Sequence, residues 1–269
     1  MGGASSEKFR RNAVILRPRV IPCLLVKNRG LVKTVKFTEP KYVGDPINAV
    51  KIFNEKGSDE LMVLDIDATV EAREPDYKMI KNLAAECRMP LCYGGGVTSL
   101  EQFKKIISLG VEKVAISAAA IKTPELIARA AEVVGNQSVV VVLDVKKRRF
   151  GGKYDVYTHN GLRACKKEVT DLAIKFEALG AGELVINSID RDGTMQGYDI
   201  KLIEQIRNVV SIPVTALGGA GSLEHINELV TRFGVIGAAA GSLFVFKGKY
   251  RAVLINYPDQ QEKDNIVAY

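Results

Sequence analysis

The sequence predicts an α/β fold: a (β/α)8 TIM barrel with an internal two-fold half-barrel repeat. Eight short apolar runs recur along the 269 residues. Amphipathic stretches of helical spacing separate them at an even period of about 31 residues, the arithmetic of eight strand–helix units. Motifs of the first half also return in the second, 123 positions later. An open doubly wound sheet does not predict such even spacing.

Residues 1–17 carry no apolar segment and read as a polar N-terminal extension, not a secretory signal. No linker rich in Pro, Gly or Ser divides the rest of the chain, so 18–257 is predicted as one barrel domain and 258–269 as a C-terminal tail. The first strand, 20–26, is almost wholly apolar, the mark of a parallel strand buried on both faces. A long connection, 27–44, leads to a helix at 46–56, with Asp45 as N-cap and Pro46 at its first position. Strands two and three are 60–67 and 90–94, followed by a helix at 99–109. Strand four, 113–117, precedes a helix at 123–134 that repeats the cap device with Thr123 and Pro124. Strand five, 138–144, is a run of valines ending in Asp144, and a second long connection, 146–167, comes after it. The remaining pairs are a helix at 168–179 with strand six at 183–188, a helix at 200–209 with strand seven at 213–217, and a helix at 222–231 with strand eight at 235–240. Gly57, Gly110, Gly135 and Gly180 stand where helices prefer to end.

The repeat is explicit. PLCYGGGVTSLE from Pro90 lines up with PVTALGGAGSLE from Pro213, and GSDEL from Gly57 with GAGEL from Gly180, both at an offset of 123. Leu25-Val26-Lys27 lines up with Asp144-Val145-Lys146 at 119. In a closed barrel, any site at the strand C-termini is then built twice, on opposite sides.

Composition narrows the function classes. The net charge of +7 is modest and favours anionic small molecules over nucleic acid. The basic connections (Lys33, Lys36, Lys41; Lys146, Lys147, Arg148, Arg149, Lys153) lack the interleaved aromatics that stack on bases. No apolar run is long enough to span a membrane. Cys23, Cys87, Cys92 and Cys165 form no C-x-x-C pair, which reads as reduced thiols in a cytoplasmic protein without metal or cofactor.

Four features carry chemistry. Gly94-Gly95-Gly96 and Gly218-Gly219-Ala220-Gly221 come after strands three and seven, each before a helix opening on serine (Ser99, Ser222). Glycine lets backbone N–H groups approach an anion, so the pair reads as two phosphate cradles, the second completed by Gly241 and Ser242; tight turns are the plainer reading. Asp144 ends an apolar strand at the mouth, where burial would raise its pKa and suit it to proton transfer; a pair with Lys146 or Lys147 is the alternative. Asp192 and Gly193, with Asp65 and Asp67 in the related position, either contact a ligand or serve turns. Arg19, Glu60, Lys113 and Glu183 begin strands, and two cations with two anions either close a ring or stay surface pairs.

These motifs resemble the cyclase subunit family of imidazole glycerol phosphate synthase over about residues 18–246, through RVIPCL from Arg19, YGGG from Tyr93, DRDGT from Asp190 with GYD from Gly197, and GGAG from Gly218. The resemblance implies a barrel with two phosphate sites that takes ammonia from a glutaminase on its N-terminal face, with Arg19, Glu60, Lys113 and Glu183 as the gate. The family's two catalytic aspartates fall on Leu25 and Asp144, so one acid is absent; Asp144 and Lys33 are the expected catalytic residues. Of the phosphate and substrate residues, Gly95, Gly96, Ser117, Asp192, Gly193, Gly219, Gly241 and Ser242 remain. LLVK from Leu24, LVKTVKF from Leu31, YVGDPIN from Tyr42 and RAVLINYP from Arg251 are similar to a paralogous branch that works with bacterial surface-polysaccharide genes. That branch implies a glutaminase, a third amidotransferase-type protein and acetamidino formation on a nucleotide-linked sugar. A histidine-pathway cyclase using Asp144 alone and a non-catalytic, glutaminase-activating scaffold are the alternatives.

Overall fold

The computed structural model describes residues 17–149 and 151–267, so all but Arg17 of the expected N-terminal extension lies outside the described residues. The elements are β1 Arg19–Lys27, β2 Gly30–Val35, β3 Thr38–Gly44, α1 Pro46–Glu55, β4 Leu61–Asp65, α2 Tyr77–Glu86, β5 Leu91–Gly94, α3 Leu100–Ser108, β6 Lys113–Ile116, α4 Ala118–Lys122, α5 Glu125–Val134 and β7 Val139–Lys147 in the first part. They continue with β8 Tyr154–Thr158, β9 Arg163–Glu168, α6 Val169–Ala178, β10 Glu183–Ser188, α7 Ile200–Arg207, β11 Val214–Leu217, α8 Leu223–Phe233, β12 Gly237–Ala240, α9 Ser242–Val245, β13 Phe246–Lys247, β14 Ala252–Val253 and α10 Gln260–Val267.

Eight strands, β1, β4, β5, β6, β7, β10, β11 and β12, pair in parallel, and β12 returns to β1 to close the barrel. Period-two alternation divides their side chains between two cores. Val139, Val141 and Leu143 face the helices, while Val140 and Val142 fill the barrel with Ile21, Cys23, Met62, Cys92 and Val185. That double burial is why the strands read as continuous apolar runs rather than alternating ones.

Helix ends obey their sequence signals with one exception. Asp45 accepts from the Asn48 amide at 2.9 Å ahead of Pro46, and Ser99 forms a reciprocal capping box with Gln102. Thr123, however, closes α4 rather than capping α5, which begins at Glu125 after Pro124 with no side-chain cap.

The two long connections are not loops. Each is an antiparallel hairpin that prolongs a barrel strand: β2 and β3 extend β1, and β8 and β9 extend β7. The repeat therefore includes the hairpins. Within the stretch read as a tail, α10 packs back on the barrel with Ile266 buried and Lys263 paired to Asp59 at 2.9 Å. Beside it, the Tyr257 hydroxyl donates to the Val20 carbonyl at 2.8 Å. No described helix is long and apolar enough to cross a membrane.

Candidate functional site

The two ends of the barrel carry different chemistry. At the N-terminal end, β1 and β6 begin with Arg19 and Lys113, β10 begins with Glu183, and Glu60 immediately precedes β4. Their side chains close an alternating ring. Arg19 bridges Glu60 at 2.5 Å and Glu183 at 2.8 Å, and Lys113 bridges the same two carboxylates at 2.8 and 2.9 Å. Both glutamates are buried, and the fully buried Thr215 hydroxyl donates to Glu183 at 2.5 Å. Burial alone would raise the Glu183 pKa; Arg19, Lys113 and Thr215 together hold it below the ordinary value. The surface-pair reading of these four charges is thus replaced by a closed, partly desolvated ring at the barrel axis.

At the C-terminal end lies a cavity of about 850 Å³. It brings together every catalytic and binding residue expected from the sequence: Lys33, Asp144, Gly95, Gly96, Ser117, Asp192, Gly193, Gly219, Gly241 and Ser242, with Leu25 opposite. Strand ends and the loops after them place these groups, as the fold requires.

Asp144 ends the barrel part of β7 and accepts from Asn187 Nδ2, across the β7–β10 pairing, at 2.9 Å. Burial pushes its pKa up to about 7, partly offset by the Asn187 hydrogen bond and reinforced by the charge of Asp192. Among the described residues it has no salt bridge to Lys146 or Lys147; the Lys147 backbone instead donates to Asp190 at 2.9 Å. A carboxyl titrating near neutrality can give or take a proton at physiological pH.

Lys33 rises from β2, is buried, and donates to the Cys23 carbonyl at 2.7 Å. Burial pulls its ammonium below the ordinary pKa against the pull of Cys23 and Asp192. Lys33 and Asp144 share the cavity without a hydrogen bond between them. Asp192 commits one oxygen to the first hairpin, accepting from the Thr34 hydroxyl at 2.8 Å and the Phe37 amide at 3.2 Å. Its role is therefore in part a latch that holds β2 and β3 over the loop after β10.

The glycine loops have a packing reason beside any anion. A Cβ on Gly95 would lie 2.5 Å from the Asp65 carbonyl, and one on Gly219 would collide with the Gly197 carbonyl, both at positive φ. The loops are glycine because neighbouring backbone crosses them. The Ser117 hydroxyl at the start of α4 is buried without a partner among the described residues, a polar group in the first cradle.

Sequence reasoning missed Asn187, Thr34 and Arg73. Arg73 lines the first cradle and faces Asp65 at 3.5 Å. Asn187 carried a readable signal: at the repeat offset of 123 it aligns with Leu64, so it is a polar departure within a repeated strand.

A protein-family model described as "Histidine biosynthesis protein" matches residues 19–251. A Leptospira borgpetersenii protein provisionally named imidazole glycerol phosphate synthase subunit HisF is 54% identical over 250 residues, covering 93% of this chain and 98% of that protein. A Vibrio vulnificus protein provisionally named imidazole glycerol phosphate synthase subunit hisF3 is 55% identical over 249 residues, covering 93% and 96%. A Streptococcus sanguinis protein named imidazole glycerol phosphate synthase subunit HisF is 39% identical over 230 residues, covering 86% and 91%.

Proposed function

The chain belongs to the histidine biosynthesis protein family, and from that premise we propose that it is a cyclase-like subunit of the imidazole glycerol phosphate synthase type that moves ammonia through its barrel. In this reading a glutaminase docks on the N-terminal face, and Arg19, Glu60, Lys113 and Glu183 form the gate it opens. Ammonia crosses the apolar interior to the cavity. There it supports conversion of an acetamido to an acetamidino group on a nucleotide-linked sugar for surface polysaccharide, together with a third amidotransferase-type protein.

One observation carries the reading: the ion ring is complete while the cavity holds Leu25 where a paired acid is expected. Conduction needs the ring and a dry interior. Two-carboxylate ring closure needs a second acid, and losing one member of such a pair costs orders of magnitude in rate. The two glycine cradles, Ser117 on one side and Gly241 with Ser242 on the other, suit anionic groups on a bound substrate, and either could take the contiguous phosphates of a nucleotide sugar.

The test is reconstitution. The purified chain is expected to associate with its glutaminase and raise glutamine hydrolysis; absence of both effects overturns the proposal. The second reading is a histidine-pathway cyclase that works with Asp144 alone, favoured by the Asp144 pKa of about 7. Ammonia-dependent turnover of the phosphoribulosyl aminoimidazole substrate at the level of a two-aspartate cyclase would establish it, and Leu25→Asp would then change little.

A further inference from the structure

Three hairpins stand on the C-terminal rim of the barrel, and they carry a charge that the rest of the chain does not share. Residues 27–44, with β2 and β3, hold five basic side chains and one acidic. Residues 146–168, with β8 and β9, hold eight and two, and residues 246–254, with β13 and β14, hold three and none. The whole chain has 38 basic and 31 acidic residues, so about a fifth of its length more than supplies the net charge of +7. The remainder is net acidic.

One segment ties the three hairpins together. After β10, the Asp190 side chain accepts from the Lys147 amide of the second hairpin at 2.9 Å. Asp192 holds the first: its carboxylate accepts from Thr34 and Phe37, and its carbonyl accepts from the Lys36 amide at 3.0 Å. The Gly193 carbonyl accepts from Arg251 of the third at 3.4 Å. The first two hairpins also meet over the cavity, where a Cβ on Gly161 would touch the Phe37 ring at 3.5 Å. The rim is therefore one preformed surface, and such a surface loses little freedom on binding.

Few of these cations face the cavity. Lys27, Lys33 and Arg163 line it. Lys36, Lys41, Lys166, Lys167, Lys247 and Lys249 do not, are exposed, and form no ion pair among the described residues. Large exposed apolar side chains gather on the same hairpins: Val35, Tyr42, Leu162, Tyr250, Val253 and Leu254 are six of the eleven among the described residues. Tyr250 is 92% exposed and Leu162 77%. Such groups do nothing for a small anion. The aliphatic ones neither stack on bases nor bond phosphates, which argues against nucleic acid. A bilayer laid across the rim would seal the cavity. Tyrosine and leucine set among lysines suit a protein face of opposite charge, with the apolar groups as buried anchors and the cations around them.

We propose that the three hairpins form the docking surface for the third, amidotransferase-type protein, which meets them with an acidic face. The proposal rests on the reading that such a protein shares the chemistry of the cavity. It places that protein at the end of the barrel opposite the ion ring, so that glutaminase and third protein bind at the same time.

The purified chain is titrated with the purified third protein by isothermal calorimetry at about 50 and about 300 mM sodium chloride. Binding is expected, and it should weaken steeply with salt. Lys166→Glu with Lys167→Glu, and Lys247→Glu with Lys249→Glu, are each expected to weaken it at least about tenfold, and Tyr250→Ala by about as much. The control, Lys81→Glu with Lys104→Glu, reverses two exposed charges on α2 and α3 and should stay within about twofold. No binding, binding indifferent to the rim variants, or equal weakening by the control overturns the proposal. Vesicles of phosphatidylcholine with phosphatidylserine, and a single-stranded oligonucleotide, are titrated alongside. Rim-dependent binding to either of these, with none to the third protein, also overturns it. The rim variants should still associate with the glutaminase and raise glutamine hydrolysis, because the ion ring lies at the other end. Failure of docking beside intact glutaminase coupling removes only the docking surface, whereas failure of coupling in the parent chain removes the conduit.

Discussion

The half-barrel ending in Leu25 and Leu64 and the half-barrel ending in Asp144 and Asn187 share their framework. Each has a strand prolonged into a hairpin, β1 into β2 and β3, β7 into β8 and β9. Each has a glycine loop pressed against crossing backbone, at Gly95 and at Gly219. They differ in the chemistry set on that framework. One half presents methyl groups to the cavity, and the other presents a carboxyl titrating near pH 7 held by an amide. The repeat thus preserves what closes the barrel, while the acid at the strand ends stands on one side only and Lys33 reaches the cavity from the other. At the other end the halves act together, since Glu183 comes from the second half and Arg19, Glu60 and Lys113 from the first.

The largest effect that can break this comparison is on activity. Asp144→Asn is expected to lower glutamine-dependent product formation by about 10²–10⁴-fold, the usual worth of a positioned acid–base group. Leu25→Asn at the mate position should leave it within a few-fold. Equal losses, read in the reconstituted complex, would erase the asymmetry.

Next is the ring that joins the halves. Lys113→Met leaves Glu60 and Glu183 with Arg19 alone, and removing one partner of a buried ion pair costs about 3–5 kcal/mol. Urea denaturation checks this, and a change under about 1 kcal/mol would show the ring to be solvated after all.

The pH dependence of stability sharpens the same contrast. The Asp144 pKa is raised in the folded protein, from 3.8 to about 7, so between these values the folded state holds more of this proton than the unfolded state does. Unfolding free energy therefore falls as pH rises. This contribution is complete below the unfolded value and is lost through the folded one. Asp144→Asn should flatten that part of the stability profile, whereas Leu25→Asn should not.

The smallest effect belongs to Asp144→Leu combined with Asn187→Leu, which copies the first half onto the second. Removing both partners leaves no unpaired group, so stability should stay within about 1 kcal/mol of the parent or rise. Chemical denaturation reads it, and a large loss would mean that the polar pair supports the fold itself.

Much of the architecture was legible because it is local. Doubly buried strands write themselves as valine runs, and Asp45-Pro46 or Ser99 announce helix starts within a few residues. The hairpins were not legible for equally physical reasons. β9, Arg-Ala-Cys-Lys-Lys-Glu, is mostly exposed and has no apolar face, and β3 contains Pro40, which argues against an interior strand. Both are strands because the preceding hairpin strand, β8 for β9 and β2 for β3, lies beside them and offers its backbone groups. The glycine loops read as anion cradles or tight turns, and their packing reason was not legible, since the carbonyls that press on Gly95 and Gly219 come from other segments.

The sequence by itself determined an eight-stranded barrel in two similar halves, with its site at the strand C-termini. Periodicity and a repeat offset are properties of the chain that survive without coordinates. Tertiary structure decided the pairings. It placed Asp144 against Asn187, 43 residues away, and it closed Arg19 against Glu183 across 164 residues. Such contacts are set by how β7 registers on β10 and how β12 returns to β1. Register of distant strands is fixed by side chains filling the barrel together, and no stretch of sequence read alone contains that packing.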